Sequence, residues 1–159
     1  MKTNTLFYSQ KNGWADSFSQ DRDAPNTAGI VFGTTSFLEN TKPLPELAKR
    51  FPHSKLIGCS TAGEIPGQTV NDDCLVGAAA ALMTDEKIAN EVLSIAISCV
   101  GRRLILGERA GKELEAVMDY LPPTAKQIGF YPDGEISPYS AGHGDLHNQM
   151  MTLTTISEK

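Results

Sequence analysis

The sequence predicts an α/β fold, with α+β as the alternative, in which two β-α-β-β repeats surround a mixed sheet. The segment Gly58-Cys-Ser-Thr-Ala-Gly-Glu-Ile65 returns as Gly129-Phe-Tyr-Pro-Asp-Gly-Glu-Ile136, so a Gly-x4-Gly-Glu-Ile motif occurs twice. Each copy is preceded by the same order of segments: an apolar run, a helical pattern that ends at a proline, and another short apolar run. Because each unit buries its apolar faces best against the other, we predict one domain over residues 1–159 with pseudo-twofold symmetry. The repeats cover residues of about 28–85 and 93–158.

In the first half, residues 5–8 predict a short strand, and residues 12–27 a loop in which Trp14 covers an edge of the core. The apolar run 28–33 is typical of a buried strand. Apolar side chains at helical spacing predict a helix over 43–51, which ends at Pro52. Strands are expected at 55–58 and 74–83, although four consecutive alanines in the latter also suit a helix.

The second half repeats this order of elements. Residues 93–99 alternate between apolar and polar side chains, which predicts a strand with one buried face. Residues 106–122 carry one apolar stripe, so we expect a single amphipathic helix whose acidic residues, Glu113 among them, face solvent. A short apolar run follows Lys126, and β-branched residues at 150–156 predict a last strand.

Composition and charge exclude several classes of protein. The chain is 40% hydrophobic and 21% charged, which is typical of an ordered globular domain. Its 14 lysines and arginines are scattered and outnumbered by 19 aspartates and glutamates, so nucleic acid is not an expected partner. The longest apolar run is too short to cross a bilayer, and three widely spaced cysteines suit reduced thiols. We therefore expect a cytoplasmic protein without membrane insertion.

The repeated glutamate of the motif has two interpretations. Glu64 and Glu135 each follow a turn rich in backbone N–H groups, and such a carboxylate can staple the turn. Alternatively, the two carboxylates face a shared pocket across the pseudo-twofold axis, where they would bind an ammonium group.

A thiol- or metal-dependent enzyme is a further alternative. Cys59 follows a predicted strand and would need His53 or His147 as a base, and Ser60 lies in an imperfect Gly-x-Ser-x-Gly pattern. If residues 143–147 are extended, His143, Asp145 and His147 share one face and form the ligand set of a two-histidine, one-carboxylate metal site. A polar loop without a metal explains the same residues, because two glycines interrupt the segment.

Two segments resemble the hallmark segments of the FIST sensory domain: residues 58–65, and residues 129–138 followed by 146–158. Residues 1 to about 83 resemble the beginning of the family's N-terminal part, and about 93–158 the end of its C-terminal part. Typical members carry a large central region, so the resemblance implies a shortened form joined near residues 85–91. It also implies a sensory module that binds a small ligand without catalysis, with amino acids proposed in many members and haem in some.

We therefore predict a non-enzymatic module for sensing and signal transduction. Its expected partners are a small molecule, for which an amino acid is one candidate, a signalling protein, and a second copy in a homodimer. We expect no bound metal and no cofactor, apart from the haem that the resemblance allows. The rival is a structural or oligomerisation scaffold that has lost its sensory region. The predicted ligand-binding residues are Cys59, Ser60, Thr61, Glu64, Tyr131, Glu135, His147 and Asn148.

Overall fold

The computed structural model describes residues 1–15, 23–39, 41–81, 91–138 and 144–157. The strands are β1 Lys2–Ser9, β2 Gly13–Trp14, β3 Thr27–Thr34, β4 Lys55–Thr61, β5 Glu64–Pro66, β6 Cys74–Ala81, β7 Leu93–Ser98, β8 Lys126–Phe130, β9 Glu135–Pro138, β10 Gly144–His147 and β11 Met151–Ile156. The helices are α1 Pro43–Arg50, α2 Val100–Leu106 and α3 Ala110–Asp119, and 3₁₀ turns lie at Thr35–Leu38 and Gly107–Arg109. None of the described helices has the length and apolar character needed to cross a bilayer.

Two mixed sheets form the centre of the molecule. The five-stranded sheet has the order β2-β1-β6-β3-β4, in which only β3 and β4 are parallel, and α1 connects them. The four-stranded sheet has the order β11-β7-β8-β5, in which only β7 and β8 are parallel, and α2 and α3 connect them. Each parallel pair thus has its own helical crossover, as the sequence predicted, and these mixed sheets with helices confirm the α/β fold class.

The sheets and helices stack in four layers. Alternate side chains of β3 and β6, such as Phe32 and Val76, pack against Ile95 and Ile128 of the other sheet. The opposite face of the five-stranded sheet packs on Leu47 of α1, and that of the four-stranded sheet on Leu114 of α3. The order is therefore helix, sheet, sheet, helix, because the period of two gives each sheet one inner and one outer apolar face.

The two halves share their first elements and then differ. In each half an antiparallel strand lies beside the first strand of the parallel pair, β6 beside β3 and β11 beside β7. After the motif, β5 pairs with β8 of the second half, whereas β9 pairs with β10. The four-stranded sheet therefore contains strands from both halves. The pseudo-twofold relation and the division into a single domain remain predictions, and the expected join near 85–91 falls largely outside the described residues.

One element prediction needs adjustment, and the choice left open at residues 74–83 is decided for the expected strand. The helix expected over residues 106–122 begins earlier, at Val100, and is interrupted where Gly107 adopts φ 54°. The alanine-rich segment at 74–81 is a strand, because β6 pairs with β1 on one side and β3 on the other. Backbone pairing with two neighbours thus outweighs the helix propensity of alanine there. Trp14 packs on the core beside Tyr8, as predicted, with ring centroids 5.1 Å apart.

Candidate functional site

The two copies of the motif lie side by side. The Ala62 N–H donates to the Tyr131 carbonyl at 3.1 Å, and the Tyr131 N–H donates to the Gly63 carbonyl at 2.9 Å. This pairing continues into the antiparallel register of Glu64 with Phe130. Folding therefore brings together two segments that are far apart in the chain.

The first glycine of each copy is required by the parallel strand beside it. A Cβ on Gly58 would lie 3.1 Å from the carbonyl carbon of Val31 and closer still to its oxygen. A Cβ on Gly129 would lie 2.8 Å from the carbonyl carbon of Ala96 and, again, closer to its oxygen. Both contacts are with backbone, which cannot rotate away, so the parallel pair closes to this distance only around glycine.

The remaining motif residues fix the turn after β4. Gly63 adopts φ 141°, a conformation that side chains oppose. Glu64 is fully buried, and its two carboxylate oxygens accept hydrogen bonds from Thr61 Oγ1 at 2.6 Å and Cys74 Sγ at 3.4 Å. Burial raises the pKa of Glu64, and these two hydrogen bonds offset part of the rise. Glu64 thus holds the turn through side-chain donors, where the sequence predicted backbone N–H donors of the turn, and the side chain of Glu135 is not described.

Arg103 covers the contact between the two copies. Its guanidinium pairs with Asp72 at 2.7 Å and donates to the Ala62 carbonyl at 3.1 Å. It also lies over the Tyr131 ring, 5.2 Å from the centroid. Sequence reasoning missed this role, because nothing local to the start of α2 indicates a partner in a turn of the other half.

Tyr131 fills the space between the four-stranded sheet and α3. Its side chain is fully buried beside Ile65 and Leu114, and burial raises its pKa to about 12. Glu113 on α3 was predicted to face solvent, but its side chain is 13% exposed and forms an ion pair with Arg102. That prediction is wrong because α2 folds back beside the first turn of α3 and supplies a cation there.

A cleft of about 390 Å³ opens between α1 and strands β3 and β4. We call it the edge cleft, because β4 is the outer strand of its sheet. Its described lining residues are apolar or glycine apart from Thr34, Cys59 and Ser60, and comprise Val31, Gly33, Thr34, Phe37, Leu44, Leu47, Leu56, Ile57, Gly58, Cys59, Ser60 and Leu75. The three polar residues lie toward the carboxyl ends of β3 and β4, which is where open α/β sheets bind ligands.

Ser60 lines the edge cleft at the position where the second motif copy carries a buried ring. In the second motif copy Tyr131 stands at the position of Ser60, and there its ring fills the space beneath the helix. Ser60 is exposed and lines the cleft instead. At this position the two copies thus differ, with a buried ring beneath the helix in one and an exposed serine at an open cleft in the other.

The predicted ligand-binding residues lie in three places. Cys59 and Ser60 line the edge cleft. Thr61, Glu64 and Tyr131 are buried where the motif copies meet. His147 ends β10 and is half-buried, and Asn148 directly after it is exposed, with the Asn148 Oδ1 close to Gly134. Glu135 is on β9, opposite His147 in the register.

The donor atoms of the edge cleft do not suit a haem. An axial ligand would come from histidine, methionine, tyrosine or a cysteine thiolate, and among the described lining residues only Cys59 belongs to this group. Burial raises the pKa of the Cys59 thiol, which disfavours the thiolate.

The enzyme alternative gains no support from His53. Its Nδ1 lies 2.8 Å from Asp23, and His53 itself precedes β4, whose extended strand places Cys59 about 13 Å beyond its first residue, Lys55. No three metal-ligating side chains cluster within the described part of the chain. His143 lies outside it, and the side chain of Asp145 is not described, so the metal alternative stays a prediction.

A protein-family model described as the FIST N domain matches residues 27–146. The matched span includes both motif copies and the strands that form the edge cleft. Comparison with curated proteins and with solved structures gave no match.

Proposed function

Because this chain belongs to the FIST family, we propose that it is a sensory module that binds a small ligand in the edge cleft and transmits the signal to a partner protein. FIST domains are associated with sensing and signal transduction. The assignment of the second half to the family's C-terminal part, and a shortened form of the chain, belong to this proposal as well.

The observation that carries the proposal is the edge cleft. Its volume of about 390 Å³ lies in the range of small-molecule sites, which are concave and mostly apolar with a few polar groups. Thr34, Cys59 and Ser60 supply those polar groups at one end of an apolar floor. The cleft also lies at the carboxyl ends of the parallel pair, and it is open to solvent at β4.

Helix α1 is the element through which a bound ligand would act. Among its residues only Pro43 and Leu47 are buried, and Leu44 is half-exposed at the cleft. A ligand between Leu44 and β4 would add contacts to a helix that has few. Such differential contact shifts the population toward one position of α1, which a partner protein can recognise.

The test is ligand-dependent thermal stability with a variant that closes the cleft. Ser60→Tyr installs the residue that fills the matching space of the second copy, and Thr155→Tyr on exposed β11 is the matched control. Amino acids, haem, divalent metals and uncharged aromatic and aliphatic compounds form the panel. A ligand at a hundredfold over its Kd adds about 2.7 kcal/mol of stability, a rise in Tm of roughly 5–10 °C.

A rise seen with the wild type and Thr155→Tyr, but absent in Ser60→Tyr, supports sensing at the edge cleft. If Ser60→Tyr responds like the wild type, the ligand binds elsewhere, and the cleft is not the sensory site. If no compound raises the Tm, the sensory proposal gives way to the second candidate.

The second candidate is an oligomerisation scaffold, and exposed apolar side chains on α2 favour it. Leu104 is 77% exposed and Ile105 is 64% exposed. Adjacent apolar side chains at this exposure are typical of a protein contact. Light scattering after size exclusion tests the proposal: a dimer that Leu104→Asp converts to a monomer supports it, and a monomeric wild type contradicts it.

A further inference from the structure

The edge cleft presents no formal charge to a ligand. Among its described lining residues there is no lysine, arginine, histidine, aspartate or glutamate. Its polar side chains are two hydroxyls and a thiol, from Thr34, Ser60 and Cys59. Because burial raises the pKa of Cys59, that thiol is neutral at physiological pH.

A free amino acid is poorly matched to this lining. Its ammonium and carboxylate groups both need partners of opposite charge to offset the desolvation of two full charges once they leave water. The described lining offers neither a cation for the carboxylate nor an anion for the ammonium. The buried carboxylate of Glu64 is already used by Thr61 and Cys74.

The backbone edge of β4 supplies neutral hydrogen-bonding groups instead. Five consecutive residues, Leu56 to Ser60, line the cleft, although side chains alternate between the two faces of a strand. Consecutive residues share a cleft in this way when the outer edge of the strand forms one of its walls. On that edge β4 has no neighbouring strand among those described, so the N–H and C=O groups that do not bond to β3 face outward.

We propose that the edge cleft takes an uncharged, mainly apolar molecule that carries one amide or hydroxyl group. The apolar part packs on Val31, Phe37, Leu47 and Leu75, and the polar group bonds to the edge of β4 or to Ser60. This inference rests on the proposed function, since it names the ligand class of the same cleft. The size is consistent, because a dry cavity of about 150 Å³ already holds benzene.

Three probes with one carbon skeleton isolate the charge: 3-phenylpropanamide, 3-phenylpropanoate and L-phenylalanine. Calorimetric titration into the wild type, Ser60→Tyr and Thr155→Tyr measures each Kd. We expect the amide to bind the wild type and Thr155→Tyr at least tenfold more tightly than the carboxylate or the zwitterion. The amide should not bind Ser60→Tyr.

A gain-of-function variant sharpens the test. Leu44 is half-exposed at the mouth of the cleft, so Leu44→Lys should fold and place a cation beside the ligand. The affinity for 3-phenylpropanoate relative to that for the amide should rise at least fivefold over the wild-type ratio, and an unchanged ratio would contradict a ligand beside Leu44.

The outcomes distinguish an error in the ligand class from an error in the proposed sensory function. If the carboxylate or the zwitterion binds as tightly as the amide and Ser60→Tyr abolishes that binding, the ligand class is wrong, but the cleft remains a sensory site. If none of the three probes binds the wild type, the ligand class is also overturned. The proposed function then depends on the wider panel, and it fails only if no ligand there is blocked by Ser60→Tyr.

Discussion

Alanine substitution at the first glycine of each motif copy should destabilise the fold to different extents. A Cβ at position 129 would overlap the Ala96 carbonyl, and one at position 58 the Val31 carbonyl. Strand β8 is held between β7 and β5, so Gly129→Ala cannot relieve the overlap by moving aside. Strand β4 is an edge strand, so Gly58→Ala can shift outward at lower cost.

Magnitudes follow from the general cost of overpacking, which is about 1–3 kcal/mol, less the roughly 0.5–1 kcal/mol that alanine gains over glycine in a strand. We expect the free energy of unfolding to fall by about 2 kcal/mol or more in Gly129→Ala and by about 1 kcal/mol in Gly58→Ala. For a chain of 159 residues, 2 kcal/mol corresponds to a fall in Tm of roughly 4–8 °C. The control Gly111→Ala lies in α3, where a Cβ meets only ordinary contacts, and should gain about 0.5 kcal/mol.

Urea unfolding monitored by Trp14 fluorescence measures these differences, because Trp14 is the only tryptophan and packs on the core. The expected order of stability is Gly111→Ala, wild type, Gly58→Ala, Gly129→Ala. If Gly129→Ala is as stable as the wild type, the close approach of the parallel strands does not explain the recurring glycine.

Three further predictions concern the neighbourhood of the motif. Burial raises the pKa of Glu64, so the free energy of unfolding of the wild type should fall relative to that of Glu64→Gln as pH rises through that pKa. Urea unfolding of both proteins between pH 4 and 8 measures this difference. Free energies of unfolding that change with pH in the same way for both proteins would contradict the prediction. Arg103→Ala should lower the free energy of unfolding by about 1 kcal/mol at neutral pH, as for a partly exposed ion pair. In a double-mutant cycle, Asp72→Ala should lower it little further once Arg103 is already alanine, because the two side chains form one ion pair. In the native protein only Cys59 should react with a thiol reagent, because the other two cysteines are buried. It should react more slowly than a free cysteine, because its pKa is raised. Modification of more than one thiol before unfolding would refute this prediction.

Local patterns in the sequence predicted most of the elements. The alternation at 93–99 and the helical spacing at 43–51 appear in the structure as β7 and α1, each one residue shorter than predicted. Some strand boundaries differ from the prediction, because β1 and β4 extend past their apolar runs where a neighbouring strand continues the pairing. Of the candidate site, the sequence named Cys59 and Ser60 as ligand-binding residues, and the structure places both in the lining of the edge cleft. Ligand binding by these residues stays a prediction.

The sequence by itself determined the repeated motif, the alternation of strands and helices, and the family, because these depend on residues close together in the chain. Only the tertiary structure decided that Arg103 covers Tyr131, that Glu113 pairs with Arg102, and that the space beneath the helix is open at Ser60. Each of these features depends on how sheets and helices stack. The pattern of apolar and polar residues within one segment does not reveal which residues of another layer it will contact. The structural reason for the first glycine of each motif copy also appears only in the tertiary structure, because it is a backbone carbonyl of the adjacent strand.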